Sequence, residues 1–459
     1  MTNYFFCGIG GIGMSSIALY LARQGNAVAG SDRSFDAGHN GEMRRTLARA
    51  GIALFPQDGR GVRPDTDVFV VSSAVEDSIP DVRRAKDLRI PIRRRAQVLA
   101  GILHDYSGIA IAGTSGKTTI TAMVGHILYK NALDPTMING GISNNAYHRE
   151  KPSNLIFGHG RHCVIEADES DGSIDLYTPD YAVVSNISLD HKPLDEIRPL
   201  FASFLSRAKR GAVVNADCPE TRRLRLDRPN VISFSAAGDK RATLRAENIR
   251  QMPGGIRFDL NGMPVRLPLV GAYNVANALA AVGAGLLAGI PVADSVRALK
   301  TFRGTRRRMQ AIGAARRIAV IDDYAHNPEK IKAALTALQS FPGAVFVIFQ
   351  PHGFAPTRLM KDELIRTLHE TLGPRTTFIM PDIYYAGGTV AQDISSRDIV
   401  DPLVRKGCRA HYIPTRAEII AFLMPRVKPG ARIVVMGARD DTLTDFAKDI
   451  LNHIKKGKP

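Results

Sequence analysis

Two glycine-rich turns constrain this chain more than any other feature: Gly8-Ile9-Gly10-Gly11-Ile12-Gly13 and Gly113-Thr114-Ser115-Gly116-Lys117-Thr118-Thr119. Each follows a short apolar run and opens a stretch of helical periodicity, the context in which a parallel strand turns into a helix. Parallel strands need long crossovers, usually helical, so such a chain folds into sheets covered by helices. The remaining residues follow the same alternation and predict an α/β protein in three blocks. The first block has strands at Asn3–Cys7, Ala27–Gly30, Asp67–Ser72 and Ile90–Arg93. The second has strands at Gly108–Ala112, Cys163–Ala167, Ala182–Asn186 and Ala212–Asn215, an apolar helix Asn274–Leu287, and an antiparallel appendage over Thr243–Leu269. The third follows the basic run Arg303–Arg308, with strands near Ile318–Ile321, Ala344–Phe349, Thr377–Met380 and Arg432–Met436. The expected domains are residues 1–106, 107–311 and 312–459.

At about 150 residues per domain, a length of 459 fits three domains, and 44% hydrophobic residues give each one its own core. Lys and Arg number 61 and Asp and Glu 44, a formal charge of +17 that favours polyanionic small molecules or nucleic acid. The basic residues are spread along the chain without a nucleic-acid-binding module or a tryptophan, so no nucleic acid is expected as a partner. Cys7, Cys163, Cys218 and Cys408 lie far apart with no CxxC spacing, which signals neither a disulfide framework nor a zinc site and points to the cytoplasm. The opening stretch lacks the basic start of a secretory signal, and its glycines interrupt any spanning helix, so no membrane is expected either.

Gly8, Gly10 and Gly13 fit GxGxxG. Lacking Cβ atoms, they let backbone N–H groups approach a pyrophosphate at the N-terminus of the helix predicted over Ser15–Gln24. Asp32, at the end of the next strand, stands where an acid meets a ribose hydroxyl. Alone, this turn reads as an NAD site. The second turn departs from GxxxxGK[ST], because Ile111 occupies the place of the first glycine. Its chemistry survives: backbone N–H groups wrap phosphate oxygens, Lys117 neutralises β/γ charge and Thr118 offers a hydroxyl to Mg²⁺. A dehydrogenase has no use for Lys117 and Thr118, and an ATPase motor has none for the first turn.

Glu166-Ala167-Asp168-Glu169-Ser170-Asp171 follows a buried strand, which puts Glu166 at a strand edge near the second turn, placed to hold Mg²⁺ with Thr118. Asp168, Glu169 and Asp171 read equally well as a solvated turn. Asp190-His191 ends another strand of the same sheet, where His191 is a candidate ligand for a second divalent ion at a phosphate.

Taken together, these motifs resemble those of the Mur ligases, ATP-dependent amide-forming enzymes of peptidoglycan precursor synthesis. The resemblance extends over nearly the whole chain through Gly8–Ser15, Gly30-Ser31-Asp32, Val71-Ser72-Ser73-Ala74, Gly113–Thr119, Glu166–Asp171, Asp190-His191, Asn274 with Asn277, Arg307-Arg308, Asp322–His326 and Phe349–His352. It implies a Rossmann-like N-terminal domain for a UDP-sugar, a central P-loop ATPase-type parallel sheet, and a C-terminal Rossmann-like domain that takes the incoming amino acid and closes on ATP. Gly8, Gly10, Gly11, Gly13, Met14, Ser15, Asp32, Ser72 and Ser73 would bind the UDP-sugar. Gly113, Thr114, Ser115, Gly116, Lys117, Thr118, Thr119, Asn274, Asn277, Arg308 and Asp323 would bind ATP. Thr118 and Glu166 would hold one Mg²⁺ ion, and Glu166 with His191 a second. Tyr324, His326, His352 and Arg358 would receive the amino acid, and Lys117, Glu166, His191 and His326 would carry the chemistry, with His326 orienting or deprotonating the amine. The implied substrates are UDP-N-acetylmuramate or a related UDP-sugar acid and a free amino acid, with L-alanine the expected acceptor and an acyl phosphate between them.

Alanine-adding members usually read GTHGKT, GxHNxxN and FQPHRxxR, where this chain has Ser115, Tyr273, and Gly353 with Pro356. Neither Gly353 nor Pro356 can grip a carboxylate as arginine does, and Arg358 is the expected substitute. Lys192-Pro193-Leu194-Asp195 provides no counterpart of the modified lysine of several sister ligases, in keeping with the alanine-adding branch. A paralogue with another amino-acid or peptide acceptor, or a non-catalytic nucleotide-binding regulator, remains as an alternative.

Overall fold

Phe5 and Cys7 point to one face of their strand and Phe6 to the other, all three buried, as a central parallel strand requires. In the computed structural model this strand, Asn3–Cys7, lies in the middle of five parallel strands ordered Ala53–Phe55, Ala27–Ser31, Asn3–Cys7, Val68–Val71, Ile92–Arg94. The chain leaves Asn3–Cys7 to one side and later returns to the other, so a crevice opens beyond its C-terminal end, at Gly8–Gly13. All residues are described except 73–74, 149, 152, 170–171, 189–192, 225–229, 386–390 and 458–459.

The second sheet has ten strands in the order Met263–Leu267, Gly255–Leu260, Leu244–Met252, Val231–Ser235, Gly211–Asn215, Tyr181–Val184, Ser107–Ala112, His162–Glu166, Thr136–Ile138, Leu155–Ile156. The predicted appendage is continuous with it, because Phe234 and Ser235 pair in parallel with Leu244 and Arg245. The third sheet runs Gln310–Ala315, Ile318–Asp323, Arg432–Met436, Val345–Phe349, Thr376–Met380, Ala410–Tyr412. Only its first strand is antiparallel to its neighbour. Alternate side chains feed two apolar clusters: Val345, Val347 and Phe349 on one face, Phe346 and Ile348 on the other. Gln310–Ala315 spans the boundary expected at residue 312, since its small, half-buried residues carry little strand signal.

The first domain has an apolar cluster of its own, with Phe5, Cys7, Val62 and Phe69, and shares a larger one with the second. One compact unit comprises Met1–Asn248, Phe258–Leu267 and Val275–Thr305, and the other Ile249–Arg257, Pro268–Asn274 and Arg306–Pro459. Within the first unit, Phe6, Ile17 and Leu99 belong to the same apolar cluster as Ala110, Ile165 and Val184. Polar ties reinforce it: the Tyr20 and Tyr106 hydroxyls are 3.0 Å apart, and Asn154 Nδ2 donates to the Ile12 carbonyl at 2.7 Å. All four cysteines are free, and among the described residues no helix is long and apolar enough to cross a membrane.

His126 lies inside the helix Lys117–Lys130 that follows the second glycine turn. Its Nε2 lies 3.1 Å from the Ala298 carbonyl, which can only accept, so Nδ1 is left to accept from the Tyr147 hydroxyl at 3.3 Å. Burial pushes its pKa down to about 4. The unfolded chain therefore binds a proton that the folded one refuses, and stability falls as pH drops below about 6.5. His126→Gln should remove about 2 kcal/mol of the stability lost between pH 7 and pH 5, a change that urea denaturation at the two pH values would measure. An unchanged pH dependence in the variant would exclude His126 as its source.

Candidate functional site

In the first turn, the N–H groups of Gly8 and Ile9 donate to the Ser31 carbonyl at 2.8 and 3.0 Å. Asp32 completes the turn: its Oδ2 accepts from Gly10 N at 2.8 Å, and its Oδ1 accepts from Ser34 N at 2.8 Å and Ser34 Oγ at 2.6 Å. Both carboxylate oxygens thus shape the loop. Met14 is buried in the apolar core, while Ser15 is fully buried with its hydroxyl donating to the Ile12 carbonyl. What the turn offers a ligand is the start of the helix Ile12–Arg23, whose first N–H groups have no partner within the helix. Ser72 is half-buried at the end of the strand Val68–Val71, and Ser73 lies outside the described residues. A Cβ on Gly10 would come within 2.9 Å of Asp32 and Phe35. Gly10→Ala should therefore distort this turn alone, weakening a diphosphate ligand there about tenfold or more with little change at the second glycine turn; binding titrations at each turn would show it, and equal effects at both would disprove a local role.

The second turn is braced by the end of a neighbouring strand, a support that no local pattern announced. Thr114 Oγ1 donates to Asn186 Oδ1 at 2.7 Å, Ser115 N donates to the same oxygen at 2.9 Å, and Ser185 Oγ donates to the Ser115 carbonyl at 2.7 Å. The Thr114 side chain and the Ser115 N–H therefore hold the loop. Gly113 and Gly116 have φ of +138° and +89°, and a Cβ on Gly113 would lie 2.0 Å from Ser185 Oγ, so both positions require glycine. Thr119 is buried in the first turn of the helix.

Lys117 donates to the Gly113 carbonyl at 2.8 Å and to Glu169 Oε2 at 2.7 Å, with Asp168 Oδ1 at 3.8 Å. Burial alone would lower the lysine pKa, but attraction to Glu169, Asp168 and Glu166 outweighs it and holds the ammonium above its ordinary range. Glu169, read from sequence as equally fit for a solvated turn, is 3% exposed. Glu166 accepts from Gly140 N at 2.7 Å through Oε1 and from Thr118 Oγ1 at 3.1 Å through Oε2. A carboxylate and a hydroxyl thus sit side by side at the mouth of a phosphate-type loop, a donor pair suited to Mg²⁺, which keeps most of its ligands as water and phosphate. Among the described residues, no three His, Cys, Asp or Glu side chains gather as a metal cage. His191 lies outside the described residues, as do Ser170, Asp171 and Asp190.

A cleft of about 280 Å³ is lined by Arg94, Arg95 and Gln97 together with Gly172, Ser173 and Leu176. Arg95 also packs on the first turn, since a Cβ on Gly13 would come within 3.3 Å of its Nη1. The acidic segment after Glu166 leads directly into Gly172. Arg95 had only the run Arg93–Arg95 to suggest it in the sequence.

Of Asn274 and Asn277, expected to turn their amides to a nucleotide, Asn277 stands against the second turn, its Oδ1 2.5 Å from where a Cβ on Gly116 would lie, while Asn274 Nδ2 donates to the Val270 carbonyl at 2.8 Å. In the second unit, Asp323 accepts from Met309 N at 2.6 Å and from Ala325 N at 2.8 Å, and burial raises its pKa. Arg307 and Arg308 lie over the Tyr324 ring at 5.0 and 4.8 Å. Tyr324, His326 and His352 do come together, their rings 5.5 Å apart for the first pair and 5.9 Å for the second. His326 Nδ1 donates to the Tyr324 carbonyl at 2.8 Å, leaving Nε2 as an acceptor, and burial pushes the pKa down to about 3. Burial also lowers His352, with Arg439 adding to the effect. Arg358 does not join them: its guanidinium pairs with Asp393 and reaches the Ala391 carbonyl.

Known proteins resemble this chain along nearly all of its length. Models of the Mur ligase family catalytic domain, the Mur ligase middle domain and the Mur ligase glutamate ligase domain match residues 3–107, 111–285 and 307–439 in turn. The UDP-N-acetylmuramate–L-alanine ligase of Geotalea uraniireducens is 35% identical over 451 residues, covering 94% of each chain. That of Streptomyces griseus is 34% identical and covers 100% of this chain and 98% of its own. The crystal structure of UDP-N-acetylmuramate-alanine ligase from Thermotoga maritima superposes with a TM-score of 0.81 at 26% identity, each chain covered in full. A murein peptide ligase from Psychrobacter arcticus shares the fold, with a TM-score of 0.71 at 21% identity and full coverage of both chains. With three family models in order along its length and relatives matched nearly end to end, this chain belongs to the Mur ligase family.

Proposed function

We infer that this protein is an ATP-dependent ligase of peptidoglycan precursor synthesis that joins L-alanine to the carboxylate of UDP-N-acetylmuramate, releasing ADP and phosphate. The observation that carries this reading is the second turn, where Lys117 lies along the loop and Glu166 stands beside Thr118 as a donor pair for Mg²⁺. The same compact unit carries the first glycine turn, so a diphosphate-type loop and a triphosphate-type loop belong to one body, as needed to bring a nucleotide-linked sugar acid to ATP.

The sugar carboxylate attacks the γ-phosphorus, the bond to ADP breaks, and an acyl phosphate forms. The amine of alanine then adds to the carbonyl carbon, and phosphate leaves with the bonding electrons as the amine gives up its proton. Lys117 supplies positive charge to the transferring group, and Gly116 with the first turn of the helix behind it supplies N–H donors. Thr118 and Glu166 would hold Mg²⁺, with His191 the expected ligand of a second ion; when bound, the metal neutralises charge building on the phosphoryl oxygens. His326, kept neutral by burial, would accept a hydrogen bond from the amine through Nε2 and orient it, and the proton that the amine loses leaves with the departing phosphate. These nucleotide substrates place the reaction in the cytoplasm.

A second reading within the family, a different amine acceptor, is favoured by Gly353 and Pro356 and by the pairing of Arg358 with Asp393. A screen of amino acids and short peptides against UDP-N-acetylmuramate and ATP decides between them. ADP release is expected with alanine and only when all three substrates are present. Release with another amine and none with alanine would replace the acceptor, and no release under any combination would defeat the ligase assignment.

A further inference from the structure

We propose that Glu169 occupies Lys117 in the nucleotide-free enzyme, and that a triphosphate enters by exchange, phosphate oxygens taking over the lysine as the carboxylate lets go. The proposal rests on the reading of Lys117 as the phosphate-contacting lysine. It makes Glu169 a positioning residue that sets nucleotide affinity.

Three features support it. Lys117 Nζ has three donors, and the short contacts all turn inward, to the Gly113 carbonyl at 2.8 Å and to Glu169 at 2.7 Å, with Asp168 next at 3.8 Å. The pair is shielded from water, the Lys117 side chain being 15% exposed and that of Glu169 3%, so its charges are little screened and neither side chain can be abandoned at low cost. Glu169 also has a different setting from Glu166. Glu166 turns to Gly140 N and Thr118 Oγ1, the pair suited to Mg²⁺, whereas Glu169 faces the lysine. Lys117 is therefore surrounded by Glu166, Asp168 and Glu169, three acids to one base, and a bare triphosphate approaching it meets repulsion as well as attraction. A carboxylate that holds the lysine against the Gly113 carbonyl keeps it pre-positioned, at the cost of competing with the incoming phosphate for the same ammonium.

The exchange is tested by calorimetric titration of the full-length enzyme with the magnesium complex of a non-hydrolysable ATP analogue. Glu169→Gln keeps the shape but removes the competing charge, and the Kd should fall about tenfold, the scale of one charge-assisted hydrogen bond. Lys117→Met should weaken binding by about the same factor or more, and in that background Glu169→Gln should give no gain. An unchanged or higher Kd for Glu169→Gln overturns the exchange, and so does a gain that persists undiminished without the lysine, which would signify simple repulsion. If Lys117→Met binds as tightly as the parent, the underlying reading of Lys117 fails instead. Should Glu169→Gln not fold, Glu169→Asp decides the question: a carboxylate one methylene shorter holds the lysine less well and should bind the analogue more tightly, and equal or weaker binding counts against exchange.

Discussion

Replacing Lys117 by alanine should lower turnover at least about a thousandfold, the scale at which removal of one preorganised charge opposite a developing oxyanion is felt. The loop backbone remains, held through Asn186 and Ser185, so the loss should appear in kcat for ADP formation while binding of the UDP-sugar at the other turn changes little. The same substitution strands Glu169 in a site where it is 3% exposed, and breaking a buried ion pair in this way costs about 3 kcal/mol. Lys117→Ala combined with Glu169→Gln should recover much of that stability and none of the turnover. Thermal denaturation beside the coupled ADP assay separates the two effects. Turnover of the single variant within tenfold of the parent would remove Lys117 from the chemistry.

Glu166→Gln should be nearly as damaging to activity and far gentler on the fold. A glutamine can still accept from Gly140 N through its oxygen and donate to Thr118 Oγ1 through its nitrogen, so both contacts of the carboxylate have a neutral equivalent. What disappears is the charge that draws Mg²⁺ to the mouth of the loop. We expect kcat to fall by a factor on the order of a hundred to a thousand, with the Mg²⁺ concentration for half-maximal rate rising at least about tenfold. A magnesium titration of initial rates checks this. A parallel loss of rate with an unaltered magnesium midpoint would show that Glu166 acts on the loop and not on the metal.

Much of the architecture was written locally. Glycine spacing, the strand ahead of it and the helix behind it announce both nucleotide-type turns, because the turn itself demands residues without Cβ atoms: Gly8 at φ +83° and Gly116 at φ +89°. Long apolar strands such as Val345–Phe349 were equally visible, since burial on both faces leaves an uninterrupted apolar run. Short strands such as Thr136–Ile138 and Leu155–Ile156 were missed, their signal too brief to stand out from the loops around them.

The partnerships within the site belong to another level. Local patterns announce the chemistry at hand: a lysine and a threonine at the head of a helix, an acidic segment after a strand, three histidines after three others. It takes the folded chain to show that Glu169 and not Glu166 faces Lys117, that Asp32 holds Gly10, that Asn186 braces Thr114 and Ser115, and that Arg358 turns to Asp393. The physical reason is strand order. Ser107–Ala112 lies between Tyr181–Val184 and His162–Glu166, so the loops that meet at its end come from strands far apart along the chain. A local pattern records which residues a turn contains, and the sheet's hydrogen-bonded order determines which turns become neighbours.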